Sequence, residues 1–134
     1  GAGTTTFYDI SGMSVSITPT SATNKILISF HLNIGLSHDG NNVLIRLFKD
    51  GSIITAFHGA DGTVVNGTNY TRWDQRHEIE VFSNQFLDTG GSTNAITYKL
   101  QYSASSGKTL YLNRRGESAE YGTVSNITVM EVAA

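Results

Sequence analysis

Ile28-Ser29-Phe30-His31-Leu32-Asn33-Ile34-Gly35-Leu36 is the stretch that decides the fold. Its even positions, Ile28, Phe30, Leu32, Ile34 and Leu36, are all apolar, while Ser29, His31, Asn33 and Gly35 between them are small or polar. Successive side chains of a strand point to opposite faces, so this alternation describes a strand buried on one face and wet on the other. The same period recurs outward from it. Met13, Val15 and Ile17 alternate with Ser14 and Ser16; Ile96, Tyr98, Leu100 and Tyr102 alternate with Thr97, Lys99 and Gln101; Ile79 and Val81 alternate with Glu78 and Glu80. Two runs are apolar on both faces: residues 43–48 (Val-Leu-Ile-Arg-Leu-Phe), broken only by Arg46, and residues 127–132. A strand held between two sheets reads this way, and so does one whose outer face is covered by another subunit.

Turn chemistry separates the runs. Asp50-Gly51 between Phe48 and Ile53 is a strong hairpin signal. Asp39-Gly40-Asn41-Asn42, residues 88–94, Ser105-Ser106-Gly107 and residues 116–122 read as loops. Eight strands are expected, at 12–18, 25–36, 43–49, 52–57, 77–87, 95–103, 109–114 and 124–132, with room for a short ninth near 64–71. No window shows the helical period, and Pro19 is the one proline. The expectation is therefore an all-β antiparallel sandwich or barrel of about 8–10 strands. Strict alternation of eight strands puts both termini at one end, and loops 19–24, 50–51, 88–94 and 115–123 at the other. A ninth strand would move the later loops.

A chain of 134 residues suits one domain, taken as residues 11–134, with 1–10 as a linker or cloning remnant and lead-in. The lack of cysteine excludes disulfides, thiolate metal sites and a cysteine nucleophile. A net charge of −2 with 15% charged residues leaves no basic stripe to neutralise phosphates, so nucleic acid is not an expected partner. No stretch approaches the roughly 20 apolar residues of a membrane-spanning helix, and none reads as a signal peptide, so membrane insertion is not expected either.

Catalytic patterns are weak. Nothing resembles Gly-x-Ser-x-Gly, and Gly90-Gly91-Ser92-Thr93 lacks the lysine of a phosphate-binding loop. Glu78 and Glu80 would sit about 7 Å apart on one strand face, a separation a glycosidase could use, but a solvated face is the plainer reading. His31, His38, His58 and His77 form no metal-binding pair. Asp39, Asn41 and Asn42 offer oxygen ligands for calcium, though an ordinary Asx turn explains them as well. No cofactor is expected. The Asn-x-Thr matches at Asn66, Asn69 and Asn126 arise readily by chance in a chain rich in Asn and Thr.

Binding is the better prospect. Tyr70, Arg72, Trp73, Asp74, Arg76 and His77 cluster in the least regular part of the chain. A sugar is held by an aromatic face against its C–H surface and by charged or amide groups on its hydroxyls, and both kinds lie here. Trp73 as a core plug with charges at its rim is the competing reading. A second patch, Arg114, Arg115, Glu117, Glu120 and Tyr121, is expected at the end away from the termini, as a binding surface or as ion pairs between subunits.

Three stretches carry a resemblance: Ser16-Ile17-Thr18-Pro19-Thr20-Ser21-Ala22-Thr23-Asn24-Lys25-Ile26-Leu27-Ile28; Phe86-Leu87-Asp88-Thr89 followed by Thr97-Tyr98-Lys99-Leu100-Gln101-Tyr102; and Leu110-Tyr111-Leu112-Asn113-Arg114 followed by Ser125-Asn126-Ile127-Thr128-Val129-Met130-Glu131-Val132. In this order they resemble the C-terminal domain of phage tail-fibre and related virion appendage proteins. The resemblance implies a jelly roll of the tumour-necrosis-factor and C1q type and a homotrimer. It further implies a place in the virion, joined to the rest of a fibre, and attachment to a host cell-surface glycan or protein rather than catalysis. A purely structural trimerisation or decoration domain is the alternative, and a polysaccharide depolymerase a more distant one.

Overall fold

The computed structural model describes residues 6–37, 41–58, 69–73, 77–104 and 109–134. Among these residues it contains strands β1 (Tyr8–Ile17), β2 (Lys25–Leu36), β3 (Asn41–Lys49), β4 (Ser52–Ile53), β5 (Asn69–Trp73), β6 (Glu80–Asp88), β7 (Ile96–Ala104), β8 (Leu110–Leu112) and β9 (Asn126–Val132). A single helical turn, α1 (Thr55–His58), follows β4. The strands form two antiparallel sheets. The first has the order β1-β7-β3-β4, with β5 also paired to β3; the second has the order β6-β2-β8, with β9 also paired to β2. The chain is thus an all-β sandwich, as the alternation predicts. The chain changes sheet between β1 and β2, β2 and β3, β5 and β6, β6 and β7, and β7 and β8.

The core lies between the sheets. The even row of β2, Ile28, Phe30, Leu32, Ile34 and Leu36, is no more than 3% exposed. Burying each such side chain contributes about 2 kcal/mol. Opposite it stand Val43, Ile45 and Leu47 of β3 and Ile96, Tyr98 and Leu100 of β7. The Asp50-Gly51 turn closes the β3–β4 hairpin with both residues at positive φ (48° and 81°), as the tight turn between twisted strands requires.

Four expectations change. The strand awaited at 52–57 is two residues long. Phe57 then bonds back to the Ile54 carbonyl and stacks on Phe86 of the second sheet (4.7 Å between ring centres), so Ile54 and Phe57 both turn inward. Residues three apart do that in a helical turn and not in a strand. The face of β6 is also reversed. Phe82 is buried and Val81 exposed, and Glu78 precedes the strand, so Glu78 and Glu80 do not share a strand face. The outer face of β3, apolar in sequence, is partly covered from within the chain: the Arg46 guanidinium lies 3.3 Å over the Phe7 ring and 5.0 Å from that of Phe48.

The fourth change concerns the ends. β8 and β9 both run antiparallel to β2 along the same edge, β8 against Ile34–Leu36 in register and β9 against residues 25–31. They therefore run the same way, and residues 113–125 leave the edge and return to it without reversing the chain. β1 consequently starts at one end of the sandwich, beside the ends of β2 and β7, while β9 finishes at the other. Loops 18–24, 50–51 and 89–95 share that second end, as expected; 113–125 does not.

Two polar clamps hold the second end. Between the sheets, the Tyr98 hydroxyl donates to Asp88 Oδ2 (2.6 Å), and Lys49 Nζ lies 2.7 Å from the same oxygen while also donating to the Gly90 carbonyl. Burial raises the Asp88 carboxyl pKa, but bonds from Lys49 and Tyr98 outweigh it and hold the group below its ordinary value. Burial and the Asp88 charge push the Tyr98 phenol far upward. At the surface, Glu131 Oε1 accepts from the Thr20 amide, the Thr20 hydroxyl and Asn24 Nδ2, tying β9 to the 18–24 loop.

Candidate functional site

The excursion between β8 and β9 is a 13-residue Ω-shaped loop, residues 113–125, with a closed neck. Asn113, at φ 65°, donates its amide to the Asn33 carbonyl (2.7 Å). Asparagine is among the few side chains that adopt this left-handed conformation at modest cost. Its side-chain oxygen accepts from the Ser125 hydroxyl, which in turn accepts from the Asn33 amide, and Asn33 Nδ2 donates to the Val124 carbonyl. A single buried asparagine of β2 thus pins both ends of the loop.

The first turn of the loop folds back over β2. A Cβ on Gly35 would collide with the Arg114 carbonyl, and one on Gly116 with the Leu36 carbonyl. Both positions need glycine because two backbones touch there. This contact places Arg114, Arg115, Glu117, Glu120 and Tyr121 toward the end of the sandwich where β1 begins, and not at the end away from both termini. The expected location of this patch is corrected accordingly, because β8 and β9 run in parallel along one edge.

Within the loop, Arg115 donates to Ser118 Oγ (3.0 Å) and Glu120 Oε2 (2.5 Å), and its guanidinium lies 4.9 Å from the Tyr121 ring centre. Arg114 lies 4.2 Å over the Tyr111 ring and donates to the Arg115 carbonyl. Tyr121 is 58% exposed. Glu117 pairs with His77. That pair joins the two candidate patches, which are forty residues apart in the chain. The join was not legible from either patch alone, since it depends on β6 and β8 both meeting β2 at Ile34.

The rest of the first patch is placed less fully. Tyr70, Arg72 and Trp73 belong to β5, paired with Leu44, Asn42 and Asn41, so Trp73 does lie in a strand. Asp74 and Arg76 lie outside the described residues, as does Asp39. Asn41 and Asn42 open β3 and are strand residues rather than members of a tight loop. Among the described residues, no cluster of His, Asp or Glu has the makings of a metal site, and no helix is long and apolar enough to cross a membrane. His31 sits exposed on the second sheet, its Nδ1 2.8 Å from Ser83 Oγ. No protein-family model matches the chain, and no curated protein matches it.

Proposed function

We propose that this chain is a non-enzymatic domain of a phage tail fibre or related virion appendage, that it assembles as a homotrimer, and that it attaches the virion to a host-surface glycan through the 113–125 loop. The repeated crossing between sheets, with β1, β3 and β7 in one and β2, β6 and β9 in the other, supports a jelly roll of the C1q and tumour-necrosis-factor kind. The observation that carries the binding reading is the convergence at one loop with a fixed neck of Arg114, Arg115, Glu117, Glu120 and Tyr121 from the loop, Tyr111 from β8 and His77 from the segment before β6. The rings offer flat apolar surface with a polar tip, and the ionic groups offer donors and acceptors for hydroxyls. A loop mounted on a rigid sheet loses little freedom on binding. Three such loops around one axis convert weak single contacts into firm attachment.

One observation favours the structural alternative: Arg115 and Glu120 already satisfy each other. A glycan array probed with the wild type, Tyr121→Ala and Arg115→Ala separates the readings. Binding that falls at least tenfold in both variants, with melting unchanged, supports attachment through this loop. A wild-type protein that retains no glycan or host cell at high concentration favours a purely structural trimerisation or decoration domain.

A further inference from the structure

Arg46, on the outer face of the first sheet, is a cation without a counterpart. Four ion pairs occur among the described residues, and Arg46 takes part in none of them. Its Nε is buried and meets no acceptor. Native structures hold few buried donors in that state, because each is costly. The register sets Asp9, Gln101 and Arg46 in one row across β1, β7 and β3, with Ser14, Lys99 and Phe48 in the adjoining row. Asp9 accepts from both Gln101 and Lys99, so the carboxylate on this face is already answered. Burial lowers the Arg46 pKa, and no neighbouring charge opposes that pull.

The rings decide how an acceptor can approach. The guanidinium carbon lies 3.3 Å from the centre of the Phe7 ring, a separation open only to stacked planes, and 5.0 Å from the centre of the Phe48 ring. One broad face of the guanidinium is therefore covered, and its N–H bonds lie in the plane that remains. A carboxylate meets two of those bonds with both oxygens in that plane. A sulfate or phosphate keeps an oxygen out of it, toward the ring.

We propose that Arg46 is a binding site for the carboxylate of an acidic sugar, a uronate or a sialate, on the opposite sheet from the one that carries the 113–125 loop and independent of that loop. One unanswered positive charge suits one monovalent carboxylate. The surroundings suit a sugar better than an acidic peptide. Phe7 and Phe48 offer ring surface to the C–H face of a pyranose, and Gln101 and the exposed Ser14 offer an amide and a hydroxyl to its hydroxyl groups. An acidic peptide would be better met by further cations, and the nearest, Lys99, is already held by Asp9. Phe7, in the segment expected from the sequence to be only a lead-in, is thereby part of the site.

The test is a nuclear magnetic resonance titration of the full chain, reading the Arg46 Nε–H resonance and the backbone amides. The probes are sodium glucuronate, the neutral methyl ester of glucuronic acid, sodium acetate and a short glutamate-rich peptide. Glucuronate should move the Arg46 resonance along a saturable curve, the ester should not, and acetate should bind about tenfold more weakly or less. Arg46→Gln should weaken glucuronate binding about tenfold or more while keeping its β-type circular dichroism. The wild-type resonance decides the matter even where that variant fails to fold. An Arg46 resonance that glucuronate leaves still, or binding that survives in folded Arg46→Gln, overturns the site. Acetate as effective as glucuronate, or the peptide more effective, overturns the sugar. Shifts confined to the amides of 113–125 overturn this site and leave the loop reading standing.

Discussion

The two ends of the sandwich carry the same kinds of charge and use them differently. At the end where β9 finishes, Asp88, Lys49 and Tyr98 form a cluster closed between the sheets. At the other, Arg115, Glu120 and Glu117 of the 113–125 loop, with His77 beside them, are in contact with water. A buried ion whose partner is removed stays desolvated, so its loss costs several kcal/mol. An exposed pair is screened and returns to water when broken, so its loss costs little. The first cluster therefore belongs to stability and the second is free for recognition.

Asp88→Ala should break this contrast most visibly. It leaves the Lys49 ammonium and the buried Tyr98 hydroxyl without their shared acceptor. The expected loss is about 3 kcal/mol, with a melting temperature lower by roughly 10 °C. A loss below about 1 kcal/mol would put this cluster in the same class as the surface pairs.

Gly116→Ala comes next. The added carbon meets the Leu36 carbonyl, so either β2 or the loop must shift. Overpacking of this kind costs about 1–3 kcal/mol. Hydrogen exchange should show the change confined to residues 113–125 and their neck at Asn33, with β3 and β7 protected as before. Uniform loss of protection would mean that the loop is an integral part of the second sheet.

Acid should act through three paired carboxylates, Asp88 and Glu131 at the clamped end and Asp9 near the start of β1. The carboxyls of Asp88, Glu131 and Asp9 all lie below their ordinary values: Asp88 because bonds from Lys49 and Tyr98 outweigh burial, Glu131 through Asn24 and Thr20, Asp9 through Gln101 and Lys99. A group with a lowered folded-state pKa binds its proton less readily when folded. Its contribution is complete above the unfolded values of 3.8 for Asp and 4.5 for Glu, and is lost as pH falls through the folded value. The melting temperature should hold from about pH 7 to about pH 5 and drop below about pH 4. Asp88→Asn and Glu131→Gln should each flatten the drop. An acid limb unchanged in both variants would mean that other carboxylates govern it.

How much of this was legible in the sequence depends on the range of the interaction. The alternation in β2 named the core row residue by residue, because one strand's period is enough to assign faces. Asp50-Gly51 announced its turn through local backbone preference. Val81 misled because Glu80 and Glu78 set an alternating pattern beyond the strand's start, while Phe82 and Phe86 decide which way β6 faces. Asp88 read as the first residue of a loop, since its partners Lys49 and Tyr98 lie on two strands of the other sheet. The Glu131 clamp spans 111 residues to Thr20, and no local pattern reports it. The run of β8 and β9 along one edge was hidden for the same reason, and with it the side on which Arg114 to Tyr121 stand.

The smallest expected effect on stability bears most directly on the proposed function. Glu120→Gln removes the charge from a well-exposed partner of Arg115, so stability should change by less than about 0.5 kcal/mol. The neck made by Asn33, Asn113 and Ser125 does not involve that pair, so the loop should keep its shape. The Arg115 guanidinium, beside the Tyr121 ring, would then keep at most a neutral acceptor in place of the carboxylate. On the glycan reading, Glu120→Gln should alter which sugars are retained, with acidic ones gaining most as a carboxylate is removed from beside the arginine. Titration of the wild type and the variant against neutral and sialylated oligosaccharides measures this directly. An unchanged profile, together with an unchanged melting temperature, would show that the pair only tidies the loop and that recognition lies elsewhere on the sandwich.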